Sequence, residues 1–193
     1  MPYGKLTSSQ ETVLSKYVRG QVVTDLGSGD LDLARRLLGL GAKHVRCIDK
    51  EPKPHLKRWP ANLSYDQAYF HNLKNTAPMD VVFLAWPINH QTSLEAVIEK
   101  AQVVAYLGKN TDGSACGTVG LFQSLIQREL LDYVPDHQNC LVVVGKQLPE
   151  PRRPTGEELA GISSFSDYFS YTEAEHYASC PHWKPTPIQG FAV

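Results

Sequence analysis

The chain has 193 residues, 42% of them apolar, and a formal charge of −1. This length and apolar share suit one sizeable core and exclude wholesale disorder. The near-neutral balance lacks the basic surplus of a protein that grips long stretches of nucleic acid, and leaves open only a local basic patch.

Residues 8–19 read as a helix, with Val13, Leu14, Tyr17 and Val18 as its apolar stripe. Two capping boxes are open at its start, Thr7 with Gln10 or Ser8 with Glu11, and Gly20 ends it. Residues 21–26 read as a short buried strand and 27–30 as a tight turn. Residues 31–40 follow as a helix with Leu33, Leu37, Leu38 and Leu40 on its apolar face, closed by Gly41. Residues 44–48 form a second strand ending at Asp49, completing a βαβ unit of about 30 residues.

The rhythm then repeats. Strands are expected at 64–70, 80–86, 102–107 and 140–145, and helices at 92–101 and 121–133. The runs VVFLA and LVVVG are apolar throughout, as strands buried on both faces are. Strands alternating with helices predict a parallel sheet covered on both sides. After Lys146, Pro149, Pro151, Pro154 and Gly156 predict a loop, and residues 162–171 are expected to supply a last antiparallel strand or a covering flap. The chain reads as a single domain over 1–193, with 1–20 an N-terminal helix and 147–193 an extension.

Cys47, Cys116, Cys140 and Cys180 form no CxxC pair, which excludes a zinc ribbon and a disulfide framework as expectations. Cys47 and Cys140 lie in apolar runs as small hydrophobes. His176, Cys180 and His182 are close in sequence but match no standard ligand spacing, so no metal is expected. The segment MPYGKLTSSQ lacks the apolar stretch of a signal peptide, and no run of about 18 apolar residues occurs. The expectation is a cytoplasmic protein with no membrane span.

The most informative stretch runs from Val22 to Asp49, VVTDLGSGDLDLARRLLGLGAKHVRCID. A strand enters Asp25, then Gly27 and Gly29, then a helix. Glycine turns the backbone sharply and lets a ligand approach without meeting a Cβ atom. In open α/β sheets ligands lie beyond the carboxyl ends of the strands, where this turn falls. The dinucleotide fingerprint G-x-G-x-x-G fails at Asp32. Asp30 and Asp32 also place negative charge where a pyrophosphate needs positive potential. Those acids, with Asp25, suit a ligand carrying ammonium and sulfonium groups instead. Asp49, about 20 residues after the glycines, is placed to accept hydrogen bonds from both ribose hydroxyls. That role is common to nicotinamide and adenosylmethionine binders.

The stretch VVTDLGSGD resembles motif I of the class I S-adenosylmethionine-dependent methyltransferases, and CIDKEP resembles that family's second-strand acid. The resemblance covers about the first 110 residues with specificity, and many members carry a third glycine where Leu31 stands. It implies a Rossmann-like, doubly wound α/β/α domain whose sheet is mostly parallel with an antiparallel last strand. It also implies that Asp25, Gly27, Ser28 and Gly29 surround the methionine end of S-adenosyl-L-methionine. Asp49 would hold the ribose, with Lys50 and Glu51 flanking ribose or adenine. After the third strand, His71 and Asn72 are candidates to border adenine, against the alternative of a plain polar loop.

The fourth strand ends LAWPINH. In the family this strand delivers residues beside the transferred methyl. The leading polar residue and second proline of the amino-directed DNA methyltransferases are absent, so that activity is not expected. Trp86 is a candidate aromatic wall for substrate or sulfonium, or else a core residue at the sheet edge. Asn89 is a candidate substrate contact and His90 a candidate general base, with a helix cap as the alternative for both. The glycine-rich loop GKNTDGSACGT follows the fifth strand, and its Lys109 and Asn110 are candidate substrate contacts.

The leading reading is methyl transfer from S-adenosyl-L-methionine to an acceptor, more in keeping with a small molecule because no large added domain is visible. The alternatives are a non-catalytic S-adenosylmethionine-binding sensor or partner subunit, and an NAD-dependent oxidoreductase. Oligomeric state is not legible.

Overall fold

Thr7 opens the first helix, α1 (Ser8–Val18). Its hydroxyl accepts the Gln10 N–H at 3.3 Å, and the Gln10 side chain accepts the Thr7 N–H at 3.0 Å. Of the two capping boxes the sequence allows, this one forms. Gln10 is also fully buried and donates to the Asn139 carbonyl at 2.7 Å, tying the start of α1 to the residue just before Cys140.

The computed structural model describes residues 5–52, 55, 58–69, 72–73, 77–87, 94–108, 121, 124, 125, 127–135 and 139–147. After α1 come β1 (Val22–Leu26), α2 (Asp32–Gly39), β2 (His44–Asp49), β3 (Leu63–Gln67) and β4 (Met79–Ala85). The remaining elements are α3 (Leu94–Ile98), β5 (Ala101–Gly108), β6 (Arg128–Val134) and β7 (Cys140–Gln147). They build one seven-stranded sheet in the order β3-β2-β1-β4-β5-β7-β6. The pairs from β3 through β5 are parallel, while β7 runs antiparallel to both β5 and β6. The strand order reverses between β1 and β4, the switch point at which open α/β sheets leave a crevice.

Strand alternation divides the core into two layers. On one face Val23, Val45, Cys47, Val81 and Phe83 pack with Leu14 and Val18 of α1 and Leu31, Ala34 and Leu37 at α2. On the other, Leu26, Ile48, Val82, Leu84 and Val104 pack with Leu94, Val97 and Ile98 of α3 and with Leu121 and Leu125. The doubly wound, three-layer α/β/α arrangement with a mostly parallel sheet is therefore the one expected.

Three expectations change. A helix over 121–133 does not hold to its end: residues 121, 124 and 125 are helical, but Arg128 to Val134 forms β6. Leu130, Tyr133 and Val134 suit either period, and pairing against the apolar run Leu141 to Val144 of β7 decides in favour of strand. The strand expected at 140–145 within the parallel series is reversed, because β7 lies antiparallel between β5 and β6, while residues 162–171 lie outside the described residues. The strand expected at 64–70 runs Leu63–Gln67.

Arg128 anchors this hairpin. Its guanidinium donates to the carbonyls of Gly145, Ala101 and Ile98, the last at 2.9 Å. Burial lowers its pKa, and the three carbonyls offset that desolvation. A cavity of about 580 Å³ beside it, lined also by Lys100, Gln102 and Lys146, opens at the amino ends of the strands, opposite the switch point.

Candidate functional site

The turn after β1 alternates left-handed residues. Gly27 has φ 80°, Gly29 φ 51° and Leu31 φ 69°. Leu31 stands where many members of the resembled family carry a third glycine, and its backbone is left-handed although leucine occupies it. A left-handed leucine costs about 1–2 kcal/mol. Leu31 is fully buried against Leu37 and Phe83, and burying such a side chain contributes about 1.5–3 kcal/mol, which outweighs the strain.

The turn is fastened from several sides. Gly27 N–H donates to the Ile48 carbonyl at 2.8 Å, and Leu31 N–H to the Ser28 carbonyl at 2.9 Å. The buried Ser28 hydroxyl donates to the Asp25 carbonyl at 2.9 Å. Asp49, 8% exposed at the end of β2, accepts the Gly29 N–H at 2.9 Å and, through its other oxygen, the Glu51 N–H at 3.0 Å. A Cβ placed on Gly29 would meet nothing within 4 Å, so the space over the turn is open. Gly29, Asp30 and Asp32 are exposed beside it.

Asp25 lies beneath the turn, not at its open edge. It is 1% exposed, in register with Cys47 on β2 and Phe83 on β4, and its Oδ2 has no hydrogen-bond partner. Burial pushes its carboxyl up to about 7, and the Asp49 charge adds to that against a lowering by Ser28. Burial thus disfavours the charged form of Asp25. The standing negative charge at the crevice comes from Asp49, Asp30 and Asp32. Burial, reinforced by Asp25, raises the Cys47 thiol to about 12, so it is an inert core thiol.

Lys50 is exposed, with its Nζ 3.9 Å from Glu51, a solvated pair of little energetic weight. Asn72 is exposed past β3, its N–H donating to the Tyr69 carbonyl at 2.9 Å. Tyr69, 58% exposed, stands at the same end of the sheet. Tyr65 on β3 donates its hydroxyl to the Glu51 carbonyl at 2.8 Å, and burial, then the Asp49 charge, raises it to about 12. Sequence reading passed over both tyrosines, because an aromatic in a strand or loop carries no spacing signal.

Trp86 directly follows β4 in a left-handed conformation with φ 50°. Its N–H donates to the Leu107 carbonyl at 2.9 Å, which fixes it beside the end of β5. Such a backbone costs about 1–3 kcal/mol for a bulky residue and collects at functional sites. The ring is partly buried against the α3-side core, and its Nε1 is buried without a partner. Asp25, Trp86 and Asn139 hold the buried unpartnered side-chain atoms among the described residues, and all three stand at the carboxyl end of the sheet.

The structure thus gathers Gly27, Ser28, Gly29 and Asp49 at one turn, buries Asp25 beneath it, leaves Lys50 exposed just past β2 and Asn72 exposed past β3, and sets Trp86 just past the neighbouring strand β4. His71, Asn89, His90, Lys109 and Asn110 lie outside the described residues. Among the described residues no group of three or more metal-binding side chains occurs, and no helix is long and apolar enough to cross a membrane.

This sheet order, with β7 reversed and the glycine turn at the switch point, defines a Rossmann-like methyltransferase fold. No family profile and no curated protein matches the chain by sequence. Solved structures match in fold. The 1,6-didemethyltoxoflavin-N1-methyltransferase of Burkholderia thailandensis, with bound 1,6-didemethyltoxoflavin and S-adenosylhomocysteine, aligns over 73% of this chain and 78% of its own, at 16% identity and TM-score 0.55. The N-methyltransferase NodS of Bradyrhizobium japonicum aligns over 72% and 94%, at 12% identity and TM-score 0.55. A conserved hypothetical protein of Streptococcus pyogenes aligns over 74% and 96%, at 12% identity and TM-score 0.52.

Proposed function

We propose that this chain is an S-adenosylmethionine-dependent methyltransferase acting on a small molecule. The observation that carries the reading is the Asp49 bridge to Gly29, which sets a buried carboxylate against an open glycine turn at the switch point. The site residues fit the cofactor. Each Asp49 oxygen holds one backbone N–H and keeps a second lone-pair direction for a ribose hydroxyl. The open face over Gly29 admits the thioether end, and Asp30 and Asp32 favour a cationic ligand over a diphosphate.

When bound, the cofactor supplies an electrophilic methyl on a sulfonium. The chain's own task is to hold an acceptor in line with that carbon, and orientation of this kind supplies much of a displacement's acceleration. In this reading Lys50 and Asn72 border the nucleoside and Trp86 walls the acceptor side. Asn89, Lys109 and Asn110 contact the acceptor, and His90 takes a proton where the acceptor carries one. The near-neutral charge and the half-buried indole beside the site favour a small acceptor over a nucleic acid. A cytoplasmic setting belongs to the same reading.

Calorimetric titration with S-adenosylhomocysteine and with NAD tests the cofactor, and incubation with methyl-labelled S-adenosylmethionine and a metabolite extract tests transfer. The expected result is binding of S-adenosylhomocysteine alone, and label in the low-molecular-weight fraction. Tight NAD binding without response to S-adenosylhomocysteine overturns the reading. Cofactor binding with no labelled product from any extract replaces it with a non-catalytic binding module.

A further inference from the structure

Arg128 opens β6 at 5% exposure, where a cation is rarely left without an anion against it. A guanidinium carries five N–H groups. Three of them go to the carbonyls of Gly145, Ile98 and Ala101, which leaves one on each terminal nitrogen as a donor for a ligand. All three partners are neutral peptide oxygens. Among the described residues no carboxylate forms a salt bridge with Arg128, and Glu99 acts on it only from further off.

The fold collects further charge around this arginine. β6 starts at the amino end of the sheet, and β7 runs antiparallel to it, so the last residues of β7 return Lys146 to the same end. The passage from α3 into β5 brings Glu99, Lys100 and Gln102 there. With Arg128 these residues line the cavity of about 580 Å³, a volume in the range of small-ligand sites. Lys100, Arg128 and Lys146 stand against Glu99 alone among the lining residues, a positive balance in a chain whose formal charge is −1. Glu129 faces the Gly145 position beside Leu131, on the opposite side of the sheet from Lys146. Asp80 on β4 is not part of the lining.

We propose that this cavity is a second ligand site, at the end of the sheet opposite the glycine turn, for the phosphate group of a small molecule. Its position makes it independent of the methyltransferase reading. A phosphate supplies the counter-charge that Arg128 lacks, and its oxygens suit the fixed donors of a guanidinium. It also has oxygens to spare for Lys146 at the rim, where a carboxylate offers fewer and a single charge. A phosphate group fills only part of the cavity, which leaves room for the body of an ester. The walls of a cleft lined by one dominant sign of charge raise the local concentration of an opposite ion.

The test uses the full chain with 15N-labelled arginine at constant ionic strength. The Arg128 Nε–H, held by the Gly145 carbonyl in a buried setting, is assigned as the signal that Arg128→Lys removes. Ribose 5-phosphate, inorganic phosphate and ribose are titrated in turn. Both phosphates are expected to move the Arg128 signal, and ribose to leave it in place. Lys146 and Glu99 are exposed, so their variants should keep the wild-type thermal midpoint. By calorimetry Lys146→Gln is expected to weaken phosphate binding about fivefold, and Glu99→Gln to strengthen it about twofold. If Arg128→Lys does not fold, these two variants still decide. Tighter binding of ribose 5-phosphate than of inorganic phosphate assigns the site to an ester, and the reverse order assigns it to the free ion. Failure of both phosphates to bind, an equal response to ribose, or affinities that neither variant changes overturns the proposal and leaves the cofactor reading untouched.

Discussion

Asp49 Oδ2 accepts the backbone N–H of Gly29 at 2.9 Å across 20 residues of chain, so the acid that ends β2 is also the clamp on the turn that follows β1. Shape and charge of the crevice are thereby one feature. The same carboxylate holds the glycine turn in place and gives the crevice its negative potential.

Asp49→Asn keeps the shape but turns an amide NH2 toward one of the two backbone N–H groups that the carboxylate now receives. The unsatisfied donor costs about 1–3 kcal/mol. The expected outcome is a lower urea midpoint together with a loss of about tenfold or more in S-adenosylhomocysteine affinity by calorimetry. Unchanged affinity at lowered stability would remove Asp49 from the binding site.

Asp25→Asn has an effect that depends on pH. The folded carboxyl sits at about 7 because it is buried, above an unfolded value of about 3.9. Between these values the folded state binds more protons than the unfolded one, so wild-type stability falls as pH rises from about 4 to about 7 and levels off above that. The neutral amide carries no such term. Relative to wild type, Asp25→Asn should therefore gain stability progressively between pH 4 and pH 7, which urea unfolding at pH 5 and pH 8 reads directly. A difference independent of pH would mean that Asp25 titrates normally.

Leu31→Gly removes the strain of a left-handed leucine but also a fully buried side chain. Relief of about 1–2 kcal/mol stands against the loss of transfer energy and a cavity, together about 3–5 kcal/mol. The variant should be less stable by about 2 kcal/mol, with the turn geometry and S-adenosylhomocysteine affinity retained. A stabilised Leu31→Gly would show that backbone strain outweighs packing at this site.

Gly108→Ala forces the Tyr106 ring to move, because the added carbon meets a rigid buried phenol. Overpacking of this kind costs about 1–3 kcal/mol. The double variant Gly108→Ala with Tyr106→Phe should recover part of that loss, since the nearest clashing atom is gone. Thermal unfolding of the two variants measures the difference, and no recovery would place the clash elsewhere.

The early βαβ unit and most strands of the sheet were legible in the residues because local chemistry settles them. Alternating or continuous apolar runs mark strands, glycine and aspartate mark the turn after β1, and Asp49 stands at a spacing that only a βαβ unit makes meaningful. Thr7 and Gln10 announced the start of α1 for the same reason, since a capping box spans three residues. Residues 128–134 were not legible, because Leu130, Tyr133 and Val134 satisfy a helical period as well as a strand, and only the open edge of β7 selects between them. Nor was the burial of Asp25, which depends on Cys47 and Phe83 flanking it from two other strands. The left-handed backbone of Trp86, held by its N–H to the Leu107 carbonyl, likewise depends on the register of β4 against β5. Order within an element follows from neighbours in the chain. The burial of an acid and the pairing of an ambiguous segment follow from neighbours in space, and those exist only once the sheet has formed.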